Sequence, residues 1–98
     1  MDETFVLQGV TFVWDRNKER ENSRKHRVRF EQAAEAFFDP FLKVVDASRN
    51  QEERDAIIGM DSRWNLLFVV HIELTDEAIR IISARYATRQ EQRYYEDE

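Results

Sequence analysis

Arg80 and Arg85 bracket four uncharged residues in Ile79-Arg80-Ile81-Ile82-Ser83-Ala84-Arg85, which reads as a buried strand running on into Thr88-Arg89-Gln90-Glu91. Burying a guanidinium without a partner costs several kcal/mol, so the two arginines are either salt-bridged structure or a cradle for phosphate. A strict pleat places Arg80 on one sheet face with Ile82 and Ala84, and Arg85 on the other with Ile81 and Ser83. Only a bulge or a strand end between them lets both serve one site. Arg85, where the strand leaves the sheet, is the stronger candidate for an anion, while Glu53 and Asp76 are candidate partners for Arg80.

Other chemistries find little support. His26 and His71 are the only histidines, and neither stands at a metal-ligating spacing from carboxylates. Gly9 and Gly59, the only glycines, make no phosphate loop, so no metal or cofactor is expected. A cationic, metal-free site suits RNA strand cleavage best, because the neighbouring 2′-hydroxyl is the nucleophile. The protein must then remove one proton, stabilise a dianionic phosphorane and protonate the departing 5′-oxygen. The planar fork of arginine fits the second task, and histidine, which titrates near neutral pH, fits either proton transfer.

On this reading Lys25 and His26 exchange protons and Arg80 and Arg85 face the phosphate, although Lys25-His26 could equally complement the dipole of a helix C-terminus. Trp14 and Tyr86 are candidates to stack a base, though a tryptophan in this position is more often core. Lys18, Arg54 and Arg89 complete the candidate RNA contacts. His71 shares a strand face with Leu67 and Val69 and reads as structural; Tyr94 and Tyr95 read as packing residues or a proton donor.

The elements that must position these groups follow from periodicity. Phe5 to Trp14 forms a first strand around Gly9. Asp15 caps a helix over Arg16 to His26 that has almost no apolar stripe, so core burial cannot hold it and it is loosely docked, partner-bound or presented to a ligand. Phe30, Ala33, Ala34, Phe37 and Phe41 mark a core-facing helix that Asp39-Pro40 ends. Strands follow over Leu42 to Ala47, Ala56 to Met60 and Leu66 to Leu74, with a loop over Ser48 to Glu53 and short connections at Asp61-Ser62-Arg63 and Thr75-Asp76-Glu77. Thr88 and Glu91 form a capping box that starts a last helix. Hairpin-length connections cannot make parallel crossovers, so the expected fold is α+β with an antiparallel sheet, two helices after the first strand and one at the C-terminus.

A chain of 98 residues is expected to form one domain, residues 1–98. It has no cysteine, no apolar run of membrane-spanning length and no cationic leader, which suggests a soluble, cytoplasmic protein. Net charge is −5, which argues against gripping nucleic acid through bulk electrostatics. Locally the balance reverses: Arg16, Lys18, Arg20, Arg24, Lys25, Arg27 and Arg29 meet only Glu19 and Glu21. No recognition helix supports a DNA-binding regulator.

The ordered set Phe12-Val13-Trp14-Asp15, Lys18, Asn22, Lys25-His26, Phe30-Glu31-Gln32-Ala33, Phe38-Asp39-Pro40, Glu53-Arg54, Ile58-Gly59, Leu66-Leu67-Phe68-Val69-Val70, Arg80-Ile81-Ile82-Ser83-Ala84-Arg85, Ala87-Thr88 and Glu91 resembles the BrnT family. The resemblance implies a RelE-like fold and a ribonuclease toxin held in check by a BrnA-type antitoxin. It further implies a complex in which a DNA-binding BrnA dimer bridges two toxins, so that DNA is met only through the antitoxin. Two features depart from the family pattern: Arg27 stands where glycine usually follows the Lys-His pair, and the chain is acidic where such toxins tend to be basic. A protein that keeps the antitoxin contact but has lost cleavage is the competing expectation.

Overall fold

A computed structural model describes residues 1–48 and 53–97. The elements are β1 (Asp2–Leu7), β2 (Val10–Asp15), α1 (Arg16–His26), α2 (Phe30–Glu35) with a 3-10 turn over Ala36–Phe38, β3 (Lys43–Asp46), β4 (Asp55–Met60), β5 (Leu66–Thr75), β6 (Ala78–Tyr86) and α3 (Arg89–Glu96). The fold is α+β, with a sheet in the order β1-β2-β6-β5-β4-β3. Residues 49–52 of the expected Ser48 to Glu53 loop lie outside the described residues.

Three expectations need correction. Phe5 to Trp14 is not one strand but the hairpin β1–β2, because Gln8 (φ 49°) and Gly9 (φ 83°) both enter the left-handed region that a tight two-residue turn requires. Both α1 and α2 therefore follow the second strand. The sheet is mixed, not purely antiparallel: Thr11–Val13 of β2 pair in parallel with Ala78–Arg80 of β6. Hairpin reasoning sees only neighbours in sequence, whereas the chain between β2 and β6 is long enough to bring β6 back in the same direction. Phe41 is 72% exposed, because the helix stops before Asp39-Pro40 and the chain turns away toward β3.

One sheet face carries the core. Phe12 and Trp14 of β2, Ile57 of β4, Leu67 and Val69 of β5, and Ile81 and Ala84 of β6 pack against Val28, Phe30, Ala33, Ala34 and Ala36. Phe30 meets Trp14 edge-on at 5.7 Å between centroids. Gly59 lets the 3-10 turn approach the sheet, since a Cβ there would lie 2.5 Å from the Ala36 carbonyl oxygen.

Two local features position the basic residues. In β6 an extra residue, Ile82, is inserted between the pairs His71–Ile81 and Val70–Ser83. The core positions Ile81 and Ala84 are thus three apart, and Arg80 and Arg85 share the outer face of the sheet.

The second feature is the seat of α1. Asp15 caps it through the Lys18 N–H at 3.1 Å, and its one buried residue is Asn22. Beyond Arg80 the parallel pairing with β2 ends. There the Asn22 carboxamide takes over as a surrogate strand: its Nδ2 donates to the Ala84 and Val28 carbonyls at 2.8 and 3.0 Å, and its Oδ1 accepts from the Ala84 N–H at 3.0 Å. A helix without an apolar stripe is held to the sheet edge by one side chain.

Candidate functional site

Arg85 leaves β6 between an aromatic ring and a carboxylate. Its guanidinium lies 4.3 Å from the Phe68 centroid, and Nη1 and Nη2 donate to the two oxygens of Glu91 at 2.8 and 2.9 Å. Nη1 also donates to the Tyr86 carbonyl at 3.2 Å. This pairing raises the Arg85 pKa further. Burial pushes the Glu91 carboxyl up, but the bonds from Arg85 and Thr88 outweigh it and leave the group below its ordinary value. Glu91 also closes the capping box of α3, accepting the Thr88 N–H at 2.9 Å, so one carboxylate ties helix start and arginine together.

Arg80 has a partner that the sequence pattern missed. Instead of Glu53 or Asp76 it engages Asp2 on β1, with Nη2 at 2.7 Å from Oδ2. The bulge removes the pleat objection to a shared site, yet the two residues leave the backbone five positions apart, roughly 15 Å along the strand. Each holds its own carboxylate.

The remaining candidates divide. Trp14 is 2% exposed among Phe5, Phe30 and the core, and its indole N–H faces no acceptor; it is not a stacking platform. Arg54 precedes β4, whose first residue Asp55 pairs with His71, at the opposite strand end from Arg85. Tyr95 is spoken for, its hydroxyl donating to Asp39 at 2.6 Å. Burial and that neighbouring carboxylate push its pKa up to about 12, so Tyr95 is a clamp for α3 and a poor proton donor. Lys43 lies 5.4 Å over the Tyr94 ring. His71 is buried against Phe37, and burial lowers its pKa and keeps it neutral.

The end of the sheet where α1 terminates is different. Lys25 is exposed and His26 half-buried, one helical turn beyond Asn22 and so on the flank that Asn22 turns toward β6. Tyr86, 47% exposed, ends β6 nearby in chain and shares a groove with Arg27, Arg29 and Arg63. Among the described residues, the side chains of Lys18, Arg20, Arg24, Lys25, Arg27 and Arg63 make no hydrogen bond or ion pair, and neither do those of His26 and Arg89. No hydrogen bond, ion pair or ring contact among the described residues joins Lys25 or His26 to Arg80 or Arg85, and each arginine is tied to a carboxylate of its own.

Arg27 is in the left-handed region (φ 60°, ψ 31°) and donates its N–H to the Ser23 carbonyl, the position that glycine takes without strain. Sequence reasoning missed Arg27, Arg29 and Arg63 as site residues. The spacing of Arg20, Arg24 and Arg27, four and then three, was the available signal for one helix face. No group of three or more His, Asp or Glu among the described residues could hold a metal ion. No helix among them is long and apolar enough to cross a membrane.

Comparison with known proteins gives this arrangement its context. The model of the family described as ribonuclease toxin, BrnT, of type II toxin-antitoxin system matches residues 14–91, from the last core position of β2 through the capping box of α3. No curated protein matches the sequence. The 1.1 Å crystal structure of the Brucella abortus ribonuclease toxin BrnT is similar, with a TM-score of 0.55 and 26% identity over 78% of this chain and 94% of that one. The segment outside the family match is largely β1 and its hairpin, which supplies the Asp2 partner of Arg80. With its mixed sheet, three helices and this match over most of its length, the chain belongs to the BrnT family of ribonuclease toxins of type II toxin-antitoxin systems.

Proposed function

We propose that this chain, as one RelE-like domain, is a metal-independent endoribonuclease that works at the end of the sheet where α1 and β6 both terminate. The observation that carries the reading is the family match, which spans both of those elements. The RNA 2′-oxygen attacks the adjacent phosphorus, the bond from phosphorus to the 5′-oxygen breaks, and a 2′,3′-cyclic phosphate and a 5′-hydroxyl result. His26 and Lys25 take the proton from the 2′-hydroxyl and return one to the leaving oxygen.

Arg85 stabilises the phosphorane. Glu91 and the Tyr86 carbonyl use three of its five N–H groups, which leaves Nε and one Nη2 hydrogen on the guanidinium's other edge for a second anion. Glu91 then acts as the brace that fixes the fork. Tyr86 stacks a base, and Lys18 and Arg89, both exposed, meet flanking phosphates. A toxin of this class has an antitoxin partner, and we assign this one a BrnA-type antitoxin whose dimer carries two toxins and makes the DNA contacts. The site of action is the cytoplasm, and the outcome is blocked translation and growth.

RNA incubated with the purified chain in EDTA tests the reading. Cleavage that survives chelation, leaves cyclic phosphate ends and falls at least 100-fold in His26→Ala supports it, roughly the contribution expected of a positioned general acid or base. Cleavage abolished by EDTA overturns metal independence. The ion pairs on Arg80 and Arg85 favour a second reading, an inactive antitoxin-binding protein, which intact RNA together with tight antitoxin binding would establish.

A further inference from the structure

Arg20 and Arg24 stand four apart on one face of α1, Arg27 follows three residues on as its left-handed C-cap, and Arg29 lines the same groove. Arg27 and Arg29 line two grooves at once. One holds Arg20 and Arg24; the other, of about 630 Å3, runs on to Arg63 and the exposed ring of Tyr86. Most acids along the way are bonded elsewhere, and the exposed Glu21, which lines a hollow with Arg20 and Arg24, makes an ion pair with neither. Glu19 accepts from Ser23 Oγ and the Phe30 N–H, Glu35 from Ser62, and Asp61 from Gln32, Arg63 and Asn65. Glu31 alone reaches a cation of the line, Arg29 at 3.6 Å.

Holding these cations together works against the fold twice. Like charges three and four apart repel along a helix, and no apolar stripe compensates. Arg27 adds a left-handed backbone that a side chain disfavours. Strain and repulsion borne by the same residues point to a ligand that neutralises them.

We propose that Arg20, Arg24, Arg27, Arg29 and Arg63 form a track for the phosphates of single-stranded RNA, ending on a base stacked against Tyr86. The track deepens the ribonuclease reading and depends on it. It feeds the strand past Lys25 and His26 while taking no part in proton transfer. It also explains how a chain of net charge −5 can hold RNA: the contact is a local stripe rather than a bulk field.

The test is fluorescence anisotropy with a uniformly 2′-O-methylated RNA oligonucleotide, which cannot supply the nucleophile, across a salt series in EDTA. Arg24→Glu combined with Arg27→Glu should weaken binding at least 10-fold and flatten the salt dependence by roughly 0.7 log units for each phosphate no longer neutralised. The Gln pair should give an intermediate loss, and circular dichroism should show all variants folded. Arg93→Glu on α3 removes the same kind of charge elsewhere and should change little. Equal loss in Arg93→Glu, or unchanged binding in the double variant, overturns the track. Unchanged RNA binding with abolished antitoxin binding makes the stripe a protein-docking surface and also overturns it. Cleavage of unmodified RNA is read in parallel: a wild-type chain that cleaves while the variants bind normally sinks the track alone, and one that neither binds nor cleaves sinks the ribonuclease reading too.

Discussion

Arg80 and Arg85 leave β6 toward carboxylates at 2.7 and 2.8 Å, whereas Arg20, Arg24 and Lys25 on α1 and Arg27 at its C-cap form no ion pair among the described residues. The groups are alike and their surroundings opposite. On β6 the strand fixes where each side chain points, and β1 and α3 bring Asp2 and Glu91 to meet them. On α1 the Asn22 carboxamide ties the helix to β6, and Glu19 and Ser23 tie it to the chain that leads into α2. Cations that are paired and braced are held in fixed positions, Arg85 with one edge of its fork still open; cations left unpaired at some cost to the helix call for a ligand.

The largest expected effect separates chemistry from stability. His26→Ala should lower RNA cleavage by about 100-fold or more while leaving the denaturation midpoint near that of wild type. Equal cleavage by the two chains would return His26 to the role of a helix-end cation. Next comes the anchor: Asn22→Leu removes three bonds to buried backbone and strands the Ala84 peptide, costing about 3 kcal/mol in urea unfolding. A loss under about 1 kcal/mol would mean that α1 has another hold.

Arg85→Met should be milder, about 1 kcal/mol or a Tm drop of roughly 4–8 °C, because the pair is bidentate but about a third exposed. Arg24→Gln should leave Tm unchanged or slightly raised, since it removes like-charge repulsion, and a drop of similar size there would erase the contrast between the two groups. The same pair sets an acid response. The folded Glu91 carboxyl lies below its ordinary value of 4.5, so its contribution is complete above about that pH and fades as pH falls through the folded pKa. The stability gap between wild type and Arg85→Met should therefore narrow from pH 7 to pH 3, and a constant gap would show that pairing is not its source. The smallest effect is Arg27→Gly, which relieves a left-handed side chain for a gain of about 0.5 kcal/mol while weakening RNA binding.

How much of this was legible in sequence varies with the range of the cause. Asp15 and the Thr88–Glu91 box fixed helix starts because caps are local chemistry, and the span Arg16 to His26 is the one observed. The strand after Leu66 was equally plain from its alternation. The parallel pairing of β2 with β6 was not, because nothing within either segment encodes a partner more than sixty residues away. The Ile82 bulge was invisible for the same reason, and with it the common face of Arg80 and Arg85. Partners followed this pattern. Glu91, six residues from Arg85, stood within the motif already noted, while Asp2 lay at the far end of the chain from Arg80. Trp14 was legible as core by residue type, and the stacking role failed on burial.

The amide of Ala84 is shielded on its outer side by one carboxamide rather than by a neighbouring strand. In deuterated buffer it should therefore exchange in step with departures of the helix, while the amides of β5 follow global unfolding. Its protection factor becomes a clock for how often the cationic arm swings free, and RNA bound along that arm should slow it.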